Sequence, residues 1–297
     1  MKSILSFLLF ILFIANSGCG DSEDIYRPKI AVSYDSDADW SPDGKSIIFV
    51  RLGNPLEGQK GGLFKYNVPD STLSAYLYTS TFDLGCPRYS PDGSKIIFSQ
   101  FGDLFLIDLA NDSISQITFK GDIYYPDWCP DGRRIAYIDF HGDERGVYVM
   151  DLESGKTHHF PDYAQRPVWF PDGNSLAVVS YKYEGEPQIL RVDTLGKEIA
   201  KLTDTPTYKY HIDIDMNTGQ ICFSQDYGNE LEMLWIVNPD GSDLRKLINV
   251  GSDFPAYSPD GEWIIYTHIE YDDGSLWAIR PDGSDNHRLT QFKETEE

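Results

Sequence analysis

Basic residues are scarce in this 297-residue sequence: 25 Lys and Arg stand against 47 Asp and Glu, a formal net charge of −22 at pH 7. A field of that sign repels phosphate backbones, which argues against nucleic acid as a partner, and it disfavours adsorption to anionic lipid. It favours solubility and cationic partners. Long apolar runs are missing too: Ile4–Ile14 has eleven residues, too few to cross a bilayer. Helix signals are nearly absent after residue 20. With Cys19 set apart, Cys86, Cys129 and Cys222 are odd in number and cannot all pair with one another. They read as buried thiols acting as small apolar residues. Catalytic signatures are also lacking. No His pair has zincin spacing, and neither a Gly-x-Ser-x-Gly elbow nor a phosphate loop occurs. No cofactor is called for.

What the sequence does contain is one stretch written six times. Trp40-Ser41-Pro42-Asp43-Gly44 leads into Ile47-Ile48-Phe49, and copies follow at Tyr89–Gly93, Trp128–Gly132, Trp169–Gly173 and Tyr257–Gly261. A worn copy, Ile214–Thr218, fills the one gap. From Asp43 to Asp92, Asp131, Asp172, Asn217 and Asp260 the steps are 49, 39, 41, 45 and 43 residues. Repeats of that length belong to propellers, solenoids or arrays. Pro presets the first corner of a type I turn, Asp suits the second, and Gly takes the left-handed position after it. That sequence closes a β-hairpin. The flanking residues alternate as half-buried strands do. Pro87, Pro126, Pro167 and Pro255 precede the aromatic by two residues, which makes each first strand a sheet edge.

A second hairpin completes each unit. Apolar strands such as Leu104–Asp108, Val147–Asp151, Leu234–Val237 and Leu276–Ile279 are followed by Gly or Asp turns and short last strands. Four antiparallel strands per unit describe a propeller blade. The expected fold is all-β, a six-bladed β-propeller over residues 28–297. The aromatic-Ser-Pro-Asp-Gly turn, the Leu-Trp-x-Ile strand, Pro281-Asp282-Gly283-Ser284-Asp285 and Arg288-Leu289-Thr290 together resemble the WD-like propeller repeat of the TolB family, across residues 37–297. The resemblance implies a bacterial envelope protein, here without the α/β domain that precedes the propeller in TolB. Two strands compete to complete the ring, Pro28–Val32 and Arg288–Phe292.

Ahead of the repeats, residues 1–18 read as a secretory signal peptide: a basic start, a short apolar core and small residues. Ser17-Gly18-Cys19 resembles the end of a bacterial lipobox, with Asn16 where that pattern prefers Leu. The expectation is lipid on Cys19, an acidic tether over residues 19–27, and an exported protein held at the cell envelope. Ordinary cleavage nearby is the alternative.

Strand direction sorts the loops. The Pro-Asp-Gly turns share one face and are explained by turn chemistry. The connections between second and third strands, and those between blades, share the other face and differ from blade to blade, as binding loops do. Ten of the 19 Tyr fall there. A candidate binding rim comprises Tyr34, Asp37, Tyr124, Tyr125, Tyr163, Arg166, Tyr183, Tyr208, Tyr210, His211, Tyr227, Phe254 and Tyr271. Tyr suits recognition, though it also packs loop bases between blades, and both readings stay open. Asp39, Arg88, Asp127 and Asp213 precede the repeat aromatic and form a candidate funnel lining. A cation between the three Asp is a further reading, whereas Asp35-x-Asp37-x-Asp39 fails as a calcium loop because Trp40 replaces the required Gly. The function expected is non-catalytic binding of an envelope protein or peptide through this face. The alternative is a carbohydrate-binding or lyase-like propeller.

Overall fold

A computed structural model of the protein describes residues 34–53, 61–79, 83–142, 145–160, 164–226, 231–269 and 274–291. Residues 1–33, with the signal peptide, Cys19, the tether and the Pro28–Val32 strand, lie outside the described residues, as do Tyr163, Tyr227 and Tyr271.

Six sheets of four antiparallel strands follow one another along the chain. Blade one holds β1 (Tyr34–Trp40), β2 (Ser46–Leu52), β3 (Gly61–Asn67) and β4 (Thr72–Thr79). Blade two holds β5 (Gly85–Tyr89), β6 (Lys95–Gln100), β7 (Asp103–Asp108) and β8 (Ser113–Gln116). Blade three holds β9 (Ile123–Trp128), β10 (Arg134–Asp139), β11 (Gly146–Asp151) and β12 (Thr157–His159). Blade four holds β13 (Ala164–Trp169), β14 (Ser175–Ser180), β15 (Gln188–Asp193) and β16 (Glu198–Lys201). Blade five holds β17 (Tyr208–Ile214), β18 (Ile221–Asp226), β19 (Met233–Val237) and β20 (Arg245–Lys246). Blade six holds β21 (Ser252–Tyr257), β22 (Ile264–His268), β23 (Leu276–Ile279) and β24 (His287–Arg288). The first strands are sheet edges, as the prolines in four of them require, and they touch in sequence from β1 to β21 and back to β1. That makes the expected six-bladed propeller.

The repeated turn is built as its residues dictate. Gly44 N–H donates to Ser41 O at 2.8 Å with φ +68°, and Asp43 accepts from the Ser41 hydroxyl at 2.7 Å and the Lys45 amide at 3.1 Å. In the worn copy Gly219 takes the positive φ, one residue later in the turn, and its N–H reaches Asp215 O.

One expectation needs correction. The second strands are buried on both faces, not one: Ser46–Val50 and all of Ser175–Ser180 are covered. A blade is a middle layer. Ile47 and Phe49 pack with Ala256 and Ile265 of blade six, while Ile48 and Val50 pack with Ile96 and Phe98 of blade two. Alternate residues of one strand thus feed two cores, and each of the six seams has its own apolar cluster. This places the core between blades and leaves the axis to polar groups.

Blade six is completed by β24, from its own stretch of chain. The seam between blades six and one is fastened by side chains. Asp35 N–H donates to Gly274 O at 2.7 Å, and the Asp35 carboxylate accepts from Arg51 and from the Thr290 hydroxyl. Asp35 therefore belongs to the ring closure and not to a loop rim.

Candidate functional site

Every inner strand carries the same irregularity. In β1, Asp37 and Ala38 stand against one residue of β2; the equivalent shift occurs in β5, β9, β13 and β21, and in β17 it falls one residue earlier, at Tyr210 and His211. Two residues against one is a β-bulge, which kinks a strand and re-aims a side chain. The bulge residues are Asp37, Cys86, Tyr125, Arg166, His211 and Phe254. Five of them share a left-handed backbone, with φ 51, 51, 53, 52 and 52° for Asp37, Cys86, Tyr125, Arg166 and Phe254. Such positions cost about 1–3 kcal/mol each for side chains other than Gly. All six line one cavity on the propeller axis. The space left is about 30 Å³, room for one or two waters. Six blades therefore present six different chemistries at one position of the repeat.

The ring is charged and mostly buried. The Cys86 thiol donates to Asp37 at 3.3 Å across the seam of blades one and two. Burial pushes that thiol well above its ordinary value, and Asp37 adds to the shift. Arg166 lies over the Tyr125 ring, 4.3 Å from its centre, a cation–π contact. Its Nη1 is buried and has no hydrogen-bond partner among the described residues. Burial pushes the Tyr125 hydroxyl up to about 12, against the pull of Arg166.

His211 stacks on Phe254 with ring centres 3.8 Å apart, and its Nδ1 lies 2.8 Å from Asp253 Oδ1. Burial and the nearby Arg166 charge hold His211 below its usual value, so the neutral ring donates Nδ1–H to the carboxylate. Asp253 also accepts from the Ser224 hydroxyl at 2.5 Å and the Phe254 amide at 2.8 Å. Burial and the Asp253 charge push the Glu232 carboxyl beside it above its ordinary value. Ser, His and Asp meet here without forming a nucleophilic triad. The Ser224 hydroxyl gives its proton to Asp253, and no imidazole stands ready to take it.

Below the ring lies a second layer. The Arg88 guanidinium feels Asp39, Asp213 and Asp127 together, and their charges outweigh the burial that works against it. Burial pushes Asp127 and Asp213 each up to about 7, against the pull of Arg88. Each Asp also reaches the next blade. Asp39 accepts from Tyr89 N–H, Asp127 from Trp169 N–H and Asp213 from Tyr257 N–H, all at 2.7 Å. The Arg88 guanidinium donates its own hydrogen bond to the Pro87 carbonyl, at 3.3 Å.

The rim residues sort into three groups. Asp37, Tyr125, Arg166, His211 and Phe254 converge on the cavity, as do the funnel residues Arg88 and Asp127. Tyr124 stands just outside, against Phe140 at 6.1 Å, and Tyr208 bonds the Tyr181 hydroxyl with its own and packs on Tyr210 at 4.8 Å. Two tyrosines are placed elsewhere. The Tyr34 ring fills the seam against Gly274, where any added Cβ would meet it at 2.2 Å. Tyr183 turns to the outer edge of blade four, where its hydroxyl donates to Glu198 at 2.6 Å. The sequence reading passed over Cys86, Asp253 and Glu232 as site residues. A signal for the ring was present: Cys86, Tyr125, Arg166 and Phe254 each precede a Pro, and that context disfavours the right-handed helical region.

With this geometry in hand, similarity to known proteins can be placed. Residues 69–296 match the model of the TolB beta propeller domain. The chain belongs to the TolB beta-propeller family. Among curated relatives of this TolB propeller is the uncharacterized peptidase YuxL of Bacillus subtilis, 27% identical over 68% of the chain and 32% of that protein. The uncharacterized protein Atu1656 of Agrobacterium fabrum is 23% identical over 76% of the chain and 82% of its own length. The Tol-Pal system protein TolB of Francisella tularensis is 27% identical over 48% of the chain and 34% of its length. The chain thus spans about a third of the Bacillus and Francisella proteins. Among solved structures, TolB of Acinetobacter baumannii superposes with a TM-score of 0.68 at 17% identity, over 86% of this chain and 63% of that one. An oligogalacturonate lyase in complex with manganese superposes with a TM-score of 0.59 at 11% identity, over 86% of this chain and 77% of that one. The TolB propeller described here does not fit a manganese centre. His211 is the one His lining the cavity and its Nδ1 is committed to Asp253, while His268 stacks on Trp277. No group of three or more His, Cys, Asp or Glu among the described residues is placed to hold a metal ion.

Proposed function

We propose that this protein is a binding propeller that engages an envelope protein or peptide through its loop face and central funnel, without catalysing a reaction. One observation carries the reading: six unlike side chains converge at one repeat position of six blades, on a cavity where, among the described residues, no hydroxyl or thiol is hydrogen-bonded to an imidazole. A structural ring would need no such variety, since the turn residues of the opposite face repeat from blade to blade. Recognition does need it. The Tol-Pal naming of the Francisella relative supports a partner in the envelope. No helix among the described residues is long and apolar enough to cross a membrane. We propose that lipid on Cys19 supplies the attachment.

Crosslinking in the native envelope tests the reading. A photoreactive residue at Tyr124 should capture one defined protein. Changing Tyr125 and Tyr210 to Ala in the same chain should cut that capture by roughly tenfold or more, the loss expected for buried aromatic anchors. Capture unchanged by those substitutions would overturn it. A Cys19→Ser protein that still sediments with membranes would overturn the lipid anchor.

A further inference from the structure

We propose that the funnel floor is a carboxylate-reading pocket, in which Arg166 receives an acidic side chain or a terminal carboxylate from a bound polypeptide. The inference rests on the binding reading above and narrows its ligand chemistry.

Two Arg face the axis, and their situations differ. Arg88 donates to the Pro87 carbonyl at 3.3 Å and feels the charges of Asp39, Asp213 and Asp127. Arg166 makes no ion pair or side-chain hydrogen bond among the described residues, and its Nη1 is buried without a partner. A buried donor left unmet is costly, so this one is set to take an acceptor. The Tyr125 ring under the guanidinium, 4.3 Å away, fixes the plane of the fork. A fixed guanidinium plane matches the two oxygens of a carboxylate. Its backbone is fixed as well, held at φ 52° by the bulge and followed by Pro167.

Size and charge narrow the guest further. About 30 Å³ admits the two oxygens of a carboxylate in place of one or two waters. The cavity wall also includes Asp37, and Asp253 lies behind His211. Those acids disfavour a doubly charged phosphate and leave room for a single negative charge set against Arg166. Phe254 and Tyr125 flank the entry with apolar surface that suits the methylene stem of an acidic side chain.

Blocked peptides test this in the full chain: acetyl-Gly-Xaa-Gly-amide with Asp, Glu, Asn or Gln in the middle, and acetyl-Gly-Gly-Gly with a free carboxylate. Binding is followed by calorimetry and by the ¹⁵N signals of labelled Arg side chains. A carboxylate probe should bind roughly tenfold or more tightly than its amide counterpart, as a charge-assisted bond predicts. The middle-Asp or middle-Glu arm winning assigns the guest to an acidic side chain, and the free-carboxylate arm winning assigns it to a chain end. Arg166→Gln should erase the preference, and Arg166→Lys should keep part of it, with thermal unfolding to show that both variants fold. Equal binding of acid and amide, an unchanged preference in Arg166→Gln, or no saturable binding of any carboxylate probe up to about 10 mM would each overturn the proposal. Partner crosslinking that survives Arg166→Gln but is lost on changing Tyr125 and Tyr210 would sink the carboxylate inference and leave the binding reading standing. Absence of any defined crosslink would sink the binding reading itself.

Discussion

Arg51 grips Asp35 with two parallel hydrogen bonds, Nε to Oδ1 at 2.6 Å and Nη2 to Oδ2 at 2.7 Å, at the seam where the last blade meets the first. Asp35 is fully buried, and Thr290 of blade six adds a third donor at 2.8 Å. Beside the backbone bond from Asp35 N–H to Gly274 O, these side chains concentrate the closure in few residues. Asp35→Ala would remove both of these bonds from Arg51 and the acceptor of the Thr290 hydroxyl, and should cost about 3–5 kcal/mol of unfolding free energy in urea titration. Thr290→Val, which removes a donor to Asp35 and the acceptor of the buried Leu276 amide, should cost about 1–3 kcal/mol. A loss below about 1 kcal/mol for Asp35→Ala would show that the seam is held elsewhere.

Arg88 and its three Asp should give the fold an unusual pH dependence. Asp127 and Asp213 are each raised to about 7 by burial. A carboxyl whose folded value exceeds its unfolded one binds more protons when folded. Its contribution is therefore full below about 4 and is lost as pH rises through about 7. Stability should fall over that window by up to roughly 1.4 kcal/mol per pH unit for each proton released. Asp127→Asn and Asp213→Asn keep an acceptor for the neighbouring amide and should flatten the slope. Arg88→Met should steepen it. Equal slopes for wild type and Arg88→Met between pH 5 and 8 would rule out this role for Arg88.

Asp39, Asp127 and Asp213 tie blades one to two, three to four and five to six through single amides. Amide hydrogen exchange should find Tyr89, Trp169 and Tyr257 N–H strongly protected. Asp39→Ala should speed exchange at Tyr89 roughly tenfold or more, with little change at Trp169. Uniform loss of protection in all three would mean that the ring responds as one body.

Cys86, Cys129 and Cys222 are buried. Cys129 is pushed up to about 11, chiefly by burial, so at pH 8 it has about a hundredfold less thiolate than an ordinary thiol. In a Cys19→Ser protein, labelling by Ellman's reagent should be slow for all three thiols and immediate once denaturant is added. Rapid labelling of Cys86 in the native protein would mean that the funnel floor opens to bulky reagents.

The turn Ser41-Pro42-Asp43-Gly44 and its copies were legible because each acts locally. Pro, Asp and Gly set a hairpin with no help from distant residues, so counting turns counted blades. The double-sided burial of Ile47–Val50 was harder to read, since an apolar run does not say which neighbour covers each face. The loop face was reached by strand direction, yet its tyrosines could not be sorted. Tyr34, Tyr125 and Tyr183 have the same side chain in similar loops and end in a seam, a funnel and an outer edge.

Residue type and order determined by themselves the six-fold repeat, the four-stranded blade, the acidic surface and the edge position of every first strand. Only the tertiary structure decided that Asp37, Cys86, Tyr125, Arg166, His211 and Phe254 share one cavity of about 30 Å³. The reason is geometric. A one-residue bulge switches which side chain meets the axis, and the six contributors lie on six separate blades. They become neighbours only when the seam held by Asp35 and Arg51 closes the ring.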